Sequence, residues 1–210
     1  MTGWVPEANL LTVIASFPFA LSTLTLLFWL TVAAGLFFEI RFNILGKEDA
    51  KLRLEGSSYR IVLTSLVSFS AALGGMIFGW GSEMLPLELR SPLAWVGTSL
   101  MAGGIFLRYW TVSVLGRHFT NEITILEDHR IITQGPFHLI RHPSYSGSLA
   151  FQVGAGLASC SPYALAVAFL MVLLAYPARI KREEKILVEE FGDEYRDYQE
   201  RTHRLIPFLY

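Results

Sequence analysis

From Leu10 to Phe38 the chain carries no charged residue. As a helix rising about 1.5 Å per residue, that run is longer than a hydrocarbon core of roughly 30 Å. Either the whole run crosses a bilayer obliquely or the part before Pro18 lies along the interface. Composition agrees with a non-aqueous home. Only 17% of the 210 residues are charged and 52% are hydrophobic, whereas a soluble domain carries about 25% charged residues. The net charge of −1 argues against nucleic acid as a partner, for which a basic face is expected. One cysteine, Cys160, excludes an internal disulfide and a cysteine-based metal cluster, and reads as a small buried apolar residue. The start, Met1-Thr-Gly-Trp-Val-Pro, lacks the basic region of a cleavable signal peptide.

Further apolar runs follow. Glu39 to Arg60 is a mixed-charge loop, and Ile61 to Trp80 is a second run rich in Ser and Gly. Small residues let helices approach closely in lipid, so Ser65, Ser68, Ala72 and Gly75 are expected at packing positions. Gly81 to Ser91 is a polar link ending at Pro92, and Leu93 to Val114 is a third span carrying Arg108 near its end. Gly116 to His142 is the longest polar stretch, with short extended pieces expected at Ile123–Leu126 and Ile131-Ile132. Tyr145 to Ser159 and Pro162 to Tyr176 then read as a tight helical hairpin broken at Cys160-Ser-Pro162. From Arg179 to Arg204, Ile180, Leu187, Val188, Phe191, Tyr195 and Tyr198 fall at helical spacing, which predicts an amphipathic helix with a break at Gly192.

The expected fold is therefore all-α, an integral-membrane bundle of about five transmembrane helices with a C-terminal amphipathic helix. Residues 1–114 supply the first spans, and 115–210 form a second region of polar loop, hairpin and tail helix. With five spans, 16 of the 17 Lys and Arg residues fall on one side and only Arg90 on the other. The positive-inside rule puts those loops and the C-terminus in the cytosol.

Chemistry concentrates on that cytosolic side, above all in Gly135-Pro-Phe-His-Leu-Ile-Arg-His-Pro-Ser-Tyr-Ser-Gly147. Breakers and hydrogen-bonding side chains at a membrane boundary are costly unless they line a site. His138 and His142 are four apart, yet no Glu follows His138 as in a His-Glu-x-x-His site, and Pro143 limits helix continuation, so no metal is expected. His142 is either a pocket residue or a buried imidazole at the proline turn. Tyr145 is either an interfacial anchor or a hydroxyl facing the same hollow. Glu183-Glu184, one turn after Arg179, is either a solvated charge run or a helix turn aimed back at that hollow.

Residues from about 115 to 210 resemble the isoprenylcysteine carboxyl methyltransferase family. The matching pieces are Leu115-Gly116, His129-Arg-Ile-Ile132, Gly135-Pro-Phe137, Arg141-His-Pro-Ser-Tyr145-x-Gly147, Gly154, Cys160-Ser-Pro162, Arg179, Glu183-Glu184, Phe191-Gly-Asp-Glu-Tyr195 and Tyr198-x-x-Arg201. Phe137 departs from the pattern, where Tyr is frequent. The first three spans show no such match. The resemblance implies an S-adenosyl-L-methionine-dependent carboxyl O-methyltransferase acting at the cytosolic membrane face on C-terminal prenylcysteine or a similar lipophilic carboxylate, with membrane lipid as its surroundings. It implies that Glu122, His129, Arg130, Ile131, Ile132, Phe137, His142, Pro143, Ser144, Tyr145 and Glu183 contact the cofactor, and that Arg179 meets the substrate carboxylate as the catalytic, substrate-binding residue. Methylation of phospholipid amines or of small thiols and amines is the alternative within the fold. An NADPH-dependent sterol reductase shares an Arg-His-x-x-Tyr-x-Gly element, but no basic cluster serves a 2′-phosphate. A membrane scaffold would leave Gly135 to Gly147 without a purpose.

Overall fold

The computed structural model describes residues 23–39, 41, 66–74, 84–116 and 131–207. Among them the architecture is helical: α1 (Thr23–Glu39), α2 (Leu87–Leu115), α3 (Pro143–Ala158), α4 (Pro162–Phe191) and α5 (Asp193–Arg201), with a 3-10 turn at Gly135–His138 and a further helical stretch at 66–74. The expected extended piece at Ile123–Leu126 and the packing positions Ser65 and Gly75 lie outside the described residues. Ser68 and Ala72, the other two small packing residues, are fully buried.

α2 starts earlier than the polar link suggested. Pro86 sits before its first turn and Pro92 inside the helix. A proline this close to the start removes only one bond, to the carbonyl four residues back, and the helix tolerates it. The larger correction concerns Pro177. It lies inside α4, which runs unbroken from the hairpin to Phe191, so the first half of the expected tail helix is the continuation of the last apolar segment. The chain turns instead at Gly192, whose φ of 57° a side chain would resist, and α5 follows.

α4 begins by local chemistry. Ser161 accepts a bond from the Ala164 amide at 3.3 Å, and Pro162 takes the first helical position, where no N–H is needed. It is long and apolar enough to cross a membrane; α1 contains a shorter apolar helix, Leu26–Phe38. Phe169, Leu170, Leu173 and Leu174 stand exposed along α4. Its inner face is a four-residue repeat of buried positions: Ala164, Ala168, Val172, Tyr176, Ile180 and Glu184.

α2 and α3 cross at glycines seven residues apart on each. A Cβ on Gly104 would lie 2.5 Å from the Gly147 carbonyl oxygen, and one on Gly154 would lie 2.6 Å from that of Gly97. Backbone touches backbone, so close van der Waals contact holds the pair. Phe28, Val32, Ala72, Met101, Ala155, Ala158 and Ala164 close a common core around it. Gly104→Ala should therefore lower stability by about 1–3 kcal/mol through overpacking. Gly103→Ala, where a Cβ meets open space, should do no harm. Thermal midpoints of the two variants in detergent check this, and equal midpoints would contradict the close-packed seam.

Candidate functional site

The 3-10 turn and α3 meet at His142. Its carbonyl accepts from the amides of Tyr145 and Ser146 at 3.0 and 3.1 Å, and Pro143 supplies the first helical position. That turn faces two partners. One is the tail after α5, which runs parallel beside it: Arg141 N–H donates to the His203 carbonyl at 2.7 Å, His142 N–H to Arg204 at 3.1 Å, and His203 N–H back to Leu139 at 3.0 Å. The other is the charged end of α4.

Three side chains form the centre. Arg179 Nε donates to Tyr145 Oη at 2.6 Å, and Tyr145 Oη donates to Glu183 Oε2 at 2.9 Å. The Arg179 guanidinium also stands 5.8 Å from the centre of the Tyr145 ring. His142 also stacks on Tyr145, its ring 5.6 Å from that of the tyrosine. Its Nδ1 lies 4.0 Å from Glu183 Oε2 and its Nε2 3.3 Å from Glu184 Oε1. The imidazole thus separates the two neighbouring carboxylates.

Those carboxylates differ in kind. The Glu183 side chain is 29% exposed and Glu184 only 5%. Glu184 accepts from Arg141 Nε at 3.0 Å and from Arg204 Nε at 3.0 Å, with Arg204 Nη2 at 2.9 Å. Arg141 Nη1 in turn donates to the Gln199 carbonyl at 2.8 Å and to the Thr202 carbonyl. Glu184 is the counter-ion that ties turn, helix and tail together, and Glu183 is the carboxylate left within reach of a ligand. Below them, Tyr198 Oη donates to the Phe137 carbonyl at 2.6 Å. Burial pushes the phenols of Tyr195 and Tyr198 well above their ordinary range, and for Tyr195 the charges of Glu184 and Glu183 add to it. Both stay neutral.

Of the residues singled out from sequence, His142, Tyr145, Arg179 and Glu183 come together. Pro143 is buried beneath them. Phe137 is buried with its carbonyl held by Tyr198, and Ser144 is half-buried in the first turn of α3. Ile131 and Ile132 are half-buried in the irregular stretch before the 3-10 turn, while Glu122, His129 and Arg130 lie outside the described residues. Among the described residues no group of three or more His, Cys, Asp or Glu could hold a metal ion. Sequence reasoning did not foresee Glu184 as counter-ion, Arg204 as its partner or Tyr198 as the donor to the Phe137 carbonyl. The signal for Glu184 was present in the four-residue repeat of α4, which reaches it after Tyr176 and Ile180.

Residues 95–189 match the model of the isoprenylcysteine carboxyl methyltransferase (ICMT) family. A probable protein-S-isoprenylcysteine O-methyltransferase of Oryza sativa subsp. indica is 39% identical over 120 residues, 56% of this chain and 62% of that protein. Protein-S-isoprenylcysteine O-methyltransferase B of Arabidopsis thaliana is 37% identical over 116 residues, 54% of this chain and 58% of its own length. The mouse enzyme of the same name is 29% identical over 56% of this chain and 42% of itself. The chain thus spans less than two thirds of the curated relatives it matches. A solved structure of the eukaryotic intramembrane Ras methyltransferase ICMT superposes with a TM-score of 0.64 at 20% identity, covering 95% of this chain and 72% of that one, and so shares the fold. The resemblance read from Arg141-His-Pro-Ser-Tyr145-x-Gly147 and the paired glutamates stands: residues 95–189 match the isoprenylcysteine carboxyl methyltransferase family.

Proposed function

We propose that the protein is a membrane-embedded methyltransferase that uses S-adenosyl-L-methionine to methylate the carboxylate of a prenylcysteine or a similar lipophilic acid. One observation carries this reading. A single phenol, Tyr145, joins a cation suited to a carboxylate, Arg179, to a carboxylate suited to a cationic donor, Glu183. The names of the relatives point the same way.

The residues present fit the methyl donor by their chemistry. Glu183 can accept from its ammonium or ribose hydroxyls, and His142 can donate to its carboxylate, while the one O–H of Tyr145 stays with Glu183 and orients it. Bound there, S-adenosyl-L-methionine would supply an electrophilic methyl group. The chain's own work is placement. The acceptor is ionised at neutral pH, so no strong base is required of any residue. Arg179 holds that carboxylate with paired charge-assisted bonds. Buried His142 and half-buried Tyr145, stacked together, keep water from the reacting groups. A thiol or amine acceptor would leave Arg179 without a task.

In this reading the centre lies where a helix leaves lipid, open to an acceptor arriving sideways from the bilayer, and the apolar half of α4 with its exposed leucines supports it. With about five spans, 16 of 17 basic residues on one side and a charged tail, the working face is cytosolic.

Transfer of a radiolabelled methyl group to a farnesylcysteine analogue tests the reaction. Within it, Glu183→Ala should weaken donor binding about 10- to 150-fold, the worth of one hydrogen bond to a charged group. Calorimetry that returned wild-type donor affinity for that variant would remove Glu183 from the site.

A further inference from the structure

Gln152 is a buried amide in the middle of α3, 3% exposed, where apolar side chains would pack at less cost. Its Nε2 donates to Tyr176 Oη at 2.7 Å. Its Oε1 is buried and has no hydrogen-bond partner among the described residues. An amide that gives one end to a tyrosine and leaves the other bare is a poor stabilising device. A half-satisfied polar group inside a helical hairpin points to function.

The tyrosine it holds leads to the centre. The ring of Tyr176 packs 5.5 Å from that of Tyr145, and Tyr145 Oη receives Arg179 Nε and reaches Glu183. Tyr176 and Arg179 share α4, one turn apart, while Gln152 and Tyr145 share α3, two turns apart. The four side chains form one continuous path between the two helices of the hairpin.

Resting on the methyltransferase reading above, we propose that Gln152 is a positioning residue: through Tyr176 it fixes the Tyr145 ring, and with it the guanidinium of Arg179 that receives the acceptor carboxylate. Gln152 touches no reacting group itself. It trades stability for placement, and this separates it from a structural residue.

The decisive variant removes both partners and keeps their shapes, Gln152→Leu combined with Tyr176→Phe, in the full-length protein. Replacing a hydrogen-bonded pair by apolar groups of like shape is near neutral for folding, so the thermal midpoint should hold or rise. A displaced contact at a reacting group is expensive. The Michaelis constant for the farnesylcysteine acceptor should therefore rise about tenfold, with the turnover number unchanged. The Arg179 Nε–H signal of a ¹⁵N-arginine spectrum, assigned by its loss in Arg179→Lys, should exchange faster with solvent. A well-folded double variant with an unaltered Michaelis constant and unaltered Nε–H exchange overturns the proposal. So does a joint collapse of midpoint, affinity and turnover, which marks a merely structural pair. If the wild type transfers no methyl group, the methyltransferase reading fails, and the strut is then judged on the Nε–H exchange alone.

Discussion

Replacing Glu184 by glutamine should lower the thermal midpoint in detergent by roughly 10 °C and open residues 193–207 to protease. Glu184 is 5% exposed and answers three groups: Arg141, itself 9% exposed, Arg204 and His142. Glutamine keeps the shape and removes the charge. Two guanidiniums then face each other across a neutral amide, one of them with almost no water. Breaking a buried pair from one side costs about 3–5 kcal/mol, because the remaining charge is left uncompensated. Surface pairs in the same protein offer a contrast. Lys185 with Glu189 is 77% and 62% exposed, and its loss should cost less than about 1 kcal/mol. The damage from Glu184→Gln should also be local before it is global. Arg141 holds the Gln199 and Thr202 carbonyls, so α5 and the segment after it lose their anchor first. A Glu184→Gln protein with wild-type midpoint and wild-type protease resistance would mean that the cluster contributes nothing to the fold.

Arg179→Ala is the second large effect, on turnover rather than folding. Under the proposed reading it should cut kcat/KM for the carboxylate acceptor about 100-fold, the loss of a charge-assisted pair of bonds. Donor affinity should change far less, because Glu183 keeps the Tyr145 hydroxyl. Arg179→Lys should restore little. A lysine cannot present two parallel N–H groups while also reaching Tyr145. Turnover that survives Arg179→Ala with an unmoved acceptor Michaelis constant would reduce Arg179 to a partner of the tyrosine ring.

The helical nature of the chain was legible in its apolar runs, and the centre in its breakers. Arg141-His-Pro-Ser-Tyr145 concentrates a turn, a helix start and four polar side chains, and two of them reach the charged end of α4: Tyr145 meets Arg179 and Glu183, and His142 meets Glu183. The hairpin at Cys160 was legible too, since Ser161-Pro162 is a helix-start signal and Cys160 takes the positive φ of 51° at the corner. Three things were not. Pro177 reads as a helix end because proline removes one backbone bond, yet the turns on either side are held by Tyr176 and Ile180, both 1% exposed. Packing outweighed the local penalty. The division of labour between Glu183 and Glu184 depends on about 100° of helix rotation, which only the partners of each carboxylate reveal. The pairing of Arg141 with the Glu184 carboxylate, 43 positions away, and of residues 139–142 with 203–204 joins segments far apart in the chain, and no periodicity encodes such contacts.

The continuity of α4 has a mechanical meaning. A helix with no joint between its leucine-lined half and its charged half behaves as a stiff lever. Under the proposed reading, lipid thickness and the packing of neighbouring helices set the lean of one arm, and the other arm carries Arg179 and Glu183 through the same angle. The height of these two side chains above the acyl chains would then be fixed by the membrane as much as by the protein, and the bilayer would become one of the parts that align the chemistry.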